Sequence, residues 1–396
     1  MVLLAVTAMA SQALPQTTSQ RGRYVLAWEW SWNPAMGGGV VDLASSAGEA
    51  YALVDSRGPM VYAFNLSGGG LVWATRVALN ETPSYLTLAG NRILVATVKV
   101  EGNETLVSVY SGARGEFEPL YARGLPYPLY RILAAKPTAS GDVVVVGARY
   151  RAGRGYQYFT ALLSRAGVVW RDWWGGRANE YFNSVSLGPD SSICAAGPPG
   201  GLACYTYDGQ PLYRLNLSFE PLAVLDLGSG EALVAGLSNS SGVVALVRDG
   251  RVEWLKTTGL FAPTSLCASN ATLYVGGVLA PKPYRIALLA LNASGSPVFF
   301  GYDNRSSGSY VVAACTARGN LVVLGGALSG RPFARALLVL RMPGGSGTAT
   351  PPTTSPSGGG GGSGNVIVVE EAALAAAAVM LAVTLWAFKP WRWRRR

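Results

Sequence analysis

Four cysteines are the residues of this chain whose type and spacing best suit covalent chemistry. Cys194 and Cys204 flank a short GPPGG turn, which favours facing positions on a β-hairpin and a disulfide between them. Cys267 and Cys315 each end a segment that recurs along the chain, and we expect them to form a second pair. Four buried free thiols are the alternative. There is no Cys-x-x-Cys spacing, which disfavours a metal or redox motif.

Histidine is absent from the 396 residues. This excludes Ser-His-Asp and Cys-His catalysis and removes the commonest metal ligand. Carboxylates are scattered, and most precede Gly or lie at strand ends, where Asp stabilises turns. The aspartates in question are Asp42, Asp55, Asp142, Asp172, Asp190, Asp208, Asp226, Asp249 and Asp303. We therefore predict no catalytic, cofactor-binding or metal residues, although carboxylates that converge from distant segments would leave a glycosidase open.

Basic residues outnumber acidic ones, 32 to 22. Five of them follow Phe388, and the rest of the chain has no basic run, so we expect no nucleic-acid partner. Arg149, Arg151 and Arg154 form the densest basic cluster before that tail, and their spacing favours a solvated loop over an anion site. The excess of Arg over Lys is typical of a thermophile or of a GC-rich genome.

Eight Asn-x-Ser/Thr sequons precede residue 343 and predict N-glycosylation of exposed loops on the extracytoplasmic side. They begin at Asn65, Asn80, Asn103, Asn216, Asn239, Asn270, Asn292 and Asn304. Residues 1–13 contain a short apolar run that suits a secretory signal peptide, although no Lys or Arg precedes it.

The C-terminal part of the sequence has the composition of a membrane anchor. Residues 343–364 are a Gly/Ser/Thr/Pro linker, residues 366–388 are a predicted transmembrane helix, and residues 389–396 are a basic tail. The uncharged stretch from Ala372 to Phe388 is short for a bilayer, and an Ala-rich packed helix is the alternative. We expect a single-pass protein of the cell membrane with an extracytoplasmic N-terminal domain and a cytoplasmic C-terminus.

Residues 22–342 consist of short apolar runs separated by Gly, Asn, Asp and Ser turns, which indicates an all-β domain. A Gly turn followed by an aromatic residue recurs at intervals of about 45 residues, a period typical of propeller blades. The aromatic residues are Trp73, Phe117, Trp170, Tyr213, Trp254 and Phe299. The pattern predicts a seven-bladed β-propeller of four-stranded blades. Its inner strands should begin near Val40, Pro83, Tyr130, Tyr181, Leu222, Pro263 and Ser309.

The seventh repeat lacks a fourth strand, because it ends with Arg335 to Met342. The N-terminal segment Gly22 to Trp32 has the aromatic fourth-strand pattern and is predicted to close the ring. Its residues Trp28, Trp30 and Trp32 alternate onto one face. We expect them to pack between blades, with an aromatic ligand platform as the alternative.

Two known families share these patterns. The segment from Trp170 to Gly197 resembles the seven-bladed propeller repeat family, and the segments from Ala63 to Trp73 and from Ala290 to Phe300 are similar to blades of the pyrroloquinoline-quinone-like propellers. Asn65 and Asn292 replace the Asp of those repeats. The resemblance implies the fold over residues 22–342. It does not imply the quinone enzymes' activity, since their cofactor-binding and calcium-ligating residues have no matching positions.

Taken together, the sequence favours a membrane-anchored binding or scaffolding module for an envelope glycan, peptide or protein partner. The alternative is an exported enzyme, either a quinoprotein-like dehydrogenase or a carboxylate-dependent glycan hydrolase or lyase, whose residues converge from separate blades.

Overall fold

The computed structural model describes residues 23–31, 38–176, 179–280, 284–302, 310–328 and 331–340. Within these ranges every regular element is a β-strand, and no helix is long and apolar enough to span a membrane. The predicted signal peptide, linker, transmembrane helix and basic tail lie outside the described residues, as do Trp32, Asp303 and Asn304.

Twenty-eight strands make up the described fold. They are β1 (Arg23–Ser31), β2 (Gly39–Ser45), β3 (Glu49–Asp55), β4 (Pro59–Asn65), β5 (Leu71–Arg76), β6 (Thr82–Ala89), β7 (Arg92–Glu101), β8 (Glu104–Ala113), β9 (Glu116–Pro126), β10 (Tyr130–Pro137), β11 (Val143–Arg151), β12 (Gly155–Ser164), β13 (Gly167–Trp174), β14 (Ser184–Leu187), β15 (Ile193–Gly197), β16 (Gly201–Tyr205), β17 (Pro211–Asn216), β18 (Glu220–Gly228), β19 (Glu231–Ser238), β20 (Ser241–Arg248), β21 (Arg251–Gly259), β22 (Phe261–Ser269), β23 (Thr272–Leu279), β24 (Arg285–Leu291), β25 (Pro297–Tyr302), β26 (Tyr310–Arg318), β27 (Leu321–Leu328) and β28 (Arg331–Leu340).

These strands form seven antiparallel four-stranded sheets, the blades. Blades 1 to 6 are consecutive meanders that begin at β2, β6, β10, β14, β18 and β22, and blade 7 consists of β26, β27, β28 and β1. The predicted seven-bladed propeller is confirmed. Each aromatic residue that defined the sequence repeat lies on the fourth strand of its blade.

The core of the molecule is a set of layers between neighbouring blades. Seven apolar clusters fill the seven blade-to-blade interfaces in turn. The middle strands are buried on both faces, as in β15, where all five residues are buried. The fourth strands alternate between half-buried and exposed positions, as in β5. This difference explains why the middle strands are continuous apolar runs and the outer strands are not.

The N-terminal strand closes the ring, as the missing fourth strand predicted. β1 pairs antiparallel with β28, from Arg23 opposite Leu340 to Ser31 opposite Phe333. This pairing covers the edge that blade 7 would otherwise expose.

Trp28 on the closing strand is 2% exposed and packs against Phe64 of blade 1. Its Nε1 donates to the Leu66 carbonyl over 2.9 Å. Trp170 and Trp254 make the same kind of bond into the following blade, to the carbonyls of Tyr207 and Ala293. The expected packing role of the closing-strand tryptophans is confirmed for Trp28.

Both predicted disulfides are present. Cys194 and Cys204 lie directly opposite each other on β15 and β16 and are bonded. Cys267 and Cys315 join β22 to β26, the inner strands of blades 6 and 7. The second bond therefore links blade 7, which the N-terminal strand completes, to blade 6.

The strand directions define two faces of the propeller. We call upper the face with the turns between strands 2 and 3 and the connections between blades, and lower the face with the other two sets of turns. Strand β28 ends and strand β1 begins at the lower face, since each lies at the position of a strand 3 to strand 4 turn. Both ends of the described propeller therefore leave from the lower face.

Candidate functional site

Among the described residues, a polar cluster lies on inner strands that face the central channel, and its side chains contact one another and the backbone. Tyr85 of blade 2 reaches Ser184 of blade 4 and lies beside Lys136 of blade 3, whose Nζ is 4.7 Å from the Tyr85 ring centre. Burial raises the pKa of Tyr85 to about 12. Asp42 of blade 1 accepts hydrogen bonds from the backbone N–H groups of Leu43 and Leu86, and burial raises its pKa. These groups join inner strands to one another across the channel.

A second cluster, the carboxylate cluster, lies on the lower face where blade 4 meets blade 5. The Ser192 hydroxyl donates to Asp190 over 2.5 Å and lies 2.8 Å from Asp226. Asp190 also accepts from the Ser229 backbone N–H at 2.7 Å, and Asp226 accepts from that of Gly228 at 2.9 Å. Two carboxylates from neighbouring blades thus meet at one hydroxyl, each with a backbone partner in a turn.

These two carboxylates have opposite electrostatic environments. Burial raises the pKa of Asp226. The hydrogen bonds from Ser192 and from the Ser229 backbone lower the pKa of Asp190. Such a divergent pair is one signature of acid–base catalysis, and the pair therefore has to be tested against the geometry of the adjoining groove.

A groove of about 350 Å³ opens beside the cluster. Its lining includes Asp190, Asp249, Tyr207 and Tyr213 but not Asp226, which is only 4% exposed. The second carboxylate of the pair therefore has no contact with the space that a substrate would fill. The geometry favours a structural connection between turns over the paired-carboxylate hydrolase that the sequence left open.

The lower face also connects blade 3 to blade 4. The Tyr207 hydroxyl donates to Asp142 over 2.7 Å, and Trp170 Nε1 donates to the Tyr207 carbonyl over 2.8 Å. The Trp170 indole packs on Gly209, where a Cβ atom would lie 2.5 Å from the ring and the backbone has φ of +86°. Only glycine suits this position.

The upper end of blade 3 is different in composition. Here β10 begins, β11 ends, β12 begins and β13 ends, and together they carry a set of Arg and aromatic side chains. We call this set the Arg–aromatic surface; its members are Arg131, Arg149, Tyr150, Arg151, Arg154, Tyr156, Arg171 and Trp173.

Guanidinium groups stack on the rings of this surface. The Arg149 guanidinium carbon lies 4.1 Å from the Trp173 ring centre, and that of Arg131 lies 5.1 Å from the Tyr156 ring centre. Tyr150 packs edge-on against Tyr156, with 5.5 Å between ring centres. These contacts hold the side chains in place.

Within the part of the chain that the structure describes, no carboxylate pairs with Arg149, Arg151 or Arg154, and the buried Nε of Arg149 has no hydrogen-bond partner. Other arginines are paired, as in Arg214 with Asp172 at 2.7 Å and Arg335 with Glu29 at 2.7 Å. Arg149, Arg151 and Arg154 therefore present positive charge that no carboxylate of the described residues neutralises.

The surface also exposes large apolar area. Tyr150 is 44% exposed and Trp173 is 37% exposed. Trp, Tyr and Arg are the residues that most often dominate binding energy at interfaces. The sequence predicted a solvated loop for Arg149, Arg151 and Arg154. This expectation is wrong for Arg149, which is half-buried against Trp173. The sequence feature that could have indicated this is the aromatic end of β13, which strand pairing within blade 3 brings beside Arg149.

The described sequon asparagines, Asn65, Asn80, Asn103, Asn216, Asn239, Asn270 and Asn292, are all exposed. Asn65 and Asn292 use Oδ1 to accept backbone N–H groups of their own turns. Glycosylation stays a prediction. Among the described residues there is no cluster of three or more Asp, Glu, Cys or His suited to a metal ion.

Comparison with known proteins shows the fold and nothing finer. No protein-family model matches the sequence, and no curated protein matches it. The WD40 β-propeller domain of Doa1 is similar in structure, with a TM-score of 0.53, 11% sequence identity, and coverage of 79% of this chain and 96% of that domain. Raptor of Chaetomium thermophilum is similar with a TM-score of 0.57 and 11% identity, over 82% of this chain and 30% of Raptor. The chain is a seven-bladed β-propeller closed by its N-terminal strand.

Proposed function

We propose that this protein is an extracytoplasmic binding module, tethered to the cell membrane by its C-terminal segment, that recognises a protein partner through the Arg–aromatic surface. The observation that carries the proposal is that Arg149, Arg151 and Arg154, which have no carboxylate partner among the described residues, share one end of blade 3 with exposed Tyr150 and Trp173.

The tether follows from the sequence pattern of residues 343–396, and the direction of β28 shows at which face the described chain ends. Leu340 ends β28 at the lower face, so a linker that begins at residue 343 leaves from that face. The upper face, with the Arg–aromatic surface, is the end opposite this attachment, and a Gly/Ser-rich linker leaves it accessible to a partner.

Affinity capture with the full-length protein, solubilised from membranes, tests the binding role. The variant R151E/R154E reverses two exposed charges of the surface, and R92E/R165E makes the same charge change at two exposed positions of the lower face. We expect the native protein and R92E/R165E to capture the same envelope protein and R151E/R154E to lose it. Equal capture by all three would contradict the proposal.

Release from the membrane tests the tether. Termination after Gly345 should transfer the propeller from washed membranes to the medium. If the shortened protein stays with the membranes, the anchor assignment is wrong. The mass of the released protein before and after deglycosylation tests whether the sequons are used.

A further inference from the structure

The Arg–aromatic surface also has features that distinguish among classes of ligand. We propose that its ligand is an acidic peptide segment, with at least two neighbouring Asp or Glu residues, in the partner protein. This inference rests on the proposed function, since it names the partner's chemistry at the same surface.

The arrangement of the aromatic rings favours a peptide ligand over a glycan. Sugar-binding platforms need a free ring face for the sugar to stack on. Here Arg149 lies over Trp173, with Arg171 at 5.9 Å from the same ring centre, and Arg131 lies over Tyr156. The Trp173 and Tyr156 rings therefore support guanidinium groups and orient their positive charges, and Tyr150 packs edge-on against Tyr156.

Arginine held in this way favours carboxylates. A guanidinium presents planar pairs of N–H donors that match a carboxylate in a bidentate arrangement, and stacking reduces the side-chain entropy lost on binding. Arg151 and Arg154 lie on either side of the turn between β11 and β12 and are exposed. Arg149 lies on the same strand as Arg151, two residues away. Three charges along one turn fit a run of acidic side chains.

Among the described residues, no carboxylate pairs with Arg149, Arg151 or Arg154. Glu180 lies at the same end of blade 3 but is 4% exposed and engaged within the structure. The exposed parts of Tyr150 and Trp173 flank the charges and can pack against the apolar portions of a peptide. An acidic segment would therefore gain both ion pairs and apolar contact.

The test uses the full-length protein in detergent and three probes: a fluorescent peptide of six Glu, the same peptide with Gln in place of Glu, and a polygalacturonate oligosaccharide with six carboxylates. We expect the Glu peptide to bind and the other two to bind at least tenfold more weakly. R151E/R154E should weaken binding of the Glu peptide by about tenfold or more, and R92E/R165E by less than about twofold.

A conservative variant checks the stacking. R149K keeps the charge but loses the planar group over Trp173, so it should weaken the Glu peptide severalfold while leaving the unfolding temperature unchanged. Tighter binding of polygalacturonate than of the peptide would overturn the inference in favour of an anionic glycan. Equal losses in the two double variants would show diffuse charge attraction and overturn it as well.

The two proposals fail separately. If R151E/R154E loses the envelope partner but no probe peptide binds to the native protein, the acidic-peptide inference is wrong and the binding surface stands. If capture is unchanged in R151E/R154E, the proposed function is wrong at this surface.

Discussion

The carboxylate cluster and the Arg–aromatic surface differ in how their hydrogen-bonding groups are satisfied. In the carboxylate cluster on the lower face, the Ser192 hydroxyl lies between Asp190 and Asp226, and each carboxylate accepts a backbone N–H group. In the Arg–aromatic surface on the upper face, Arg149, Arg151 and Arg154 have no carboxylate partner within the described ranges. Internal satisfaction indicates a structural role, and its absence at an exposed site indicates a role in binding.

This difference bears on two expectations from the sequence, one for the aspartates and one for the basic cluster. The scattered aspartates left a hydrolase open, and the structure uses two of them to join turns of neighbouring blades. The basic cluster was expected to be a solvated loop, and the structure supports part of it on aromatic rings. Residue type alone does not show whether a polar cluster has a structural or a binding role, because that role depends on which groups the fold places around it.

Removing a disulfide should give the largest loss in the free energy of unfolding, and it serves as the reference for a purely structural change. Cys267 and Cys315 are 48 residues apart, and Cys194 and Cys204 are 10 apart. In the chain-entropy account, replacing the first pair by Ala should lower the free energy of unfolding by about 4 kcal/mol and replacing the second by about 3 kcal/mol. Denaturant unfolding of both variants measures this. A larger loss for the Cys194–Cys204 pair would contradict loop closure as the main source of stability.

Substitutions of two tryptophans on one strand compare a structural contact on the lower face with the Arg–aromatic surface. Trp170 and Trp173 both lie on β13 but on opposite faces of the sheet. Trp170→Ala removes the indole that packs on Gly209 and bonds to Tyr207, and should cost about 3 kcal/mol of stability. Trp173→Ala should cost under about 1 kcal/mol and should weaken partner capture. Equal stability losses would remove the distinction between the two regions.

The carboxylate cluster should behave as a structural connection. Asp226→Ala leaves the buried Gly228 N–H without its acceptor and removes one of the two carboxylates beside the Ser192 hydroxyl, and should lower the free energy of unfolding by about 2 kcal/mol. Asp208→Ala, at an exposed position of a lower-face turn, is the control and should change it by less than about 0.5 kcal/mol. Loss of partner capture by folded Asp226→Ala, with Asp208→Ala unaffected, would instead assign function to the cluster.

The pH dependence of stability should have opposite signs at the two carboxylates. Because burial raises the pKa of Asp226 above 3.8, its contribution is complete below pH 3.8 and is lost as the pH rises through the raised pKa. Because hydrogen bonds lower the pKa of Asp190, its contribution is present above pH 3.8 and is lost as the pH falls through the lowered pKa.

Urea midpoints measured across the acid range for Asp226→Asn and Asp190→Asn check these signs, with Asp208→Asn as the control. Asp226→Asn should flatten the decline on the rising side, and Asp190→Asn the decline on the falling side. The same pH profile in both variants would contradict the assignment of opposite environments.

Much of the fold could be read from the sequence because a propeller repeats its local signals. The inner strand predicted near Tyr130 begins there, and the one predicted near Tyr181 begins at Ser184. The closing strand was identified from a missing fourth strand, and β1 indeed pairs with β28. Each of these depends on periodicity within about one blade.

The candidate site could not be read in the same way, because it depends on pairing across strands. Arg149 and Trp173 are 24 positions apart in the sequence and meet only because β11 and β13 lie on either side of β12. The Asp190–Ser192–Asp226 contact depends on the packing of one blade against the next. Neither contact leaves a linear motif.

The central claim is that the upper end of blade 3 binds a partner and does little for stability. The most direct test measures both quantities on one sample of R151E/R154E, as the unfolding midpoint and the affinity for the captured partner. We predict a change of less than about 0.5 kcal/mol in the free energy of unfolding together with about tenfold or greater loss of affinity. A large loss of stability with unchanged affinity would contradict the claim.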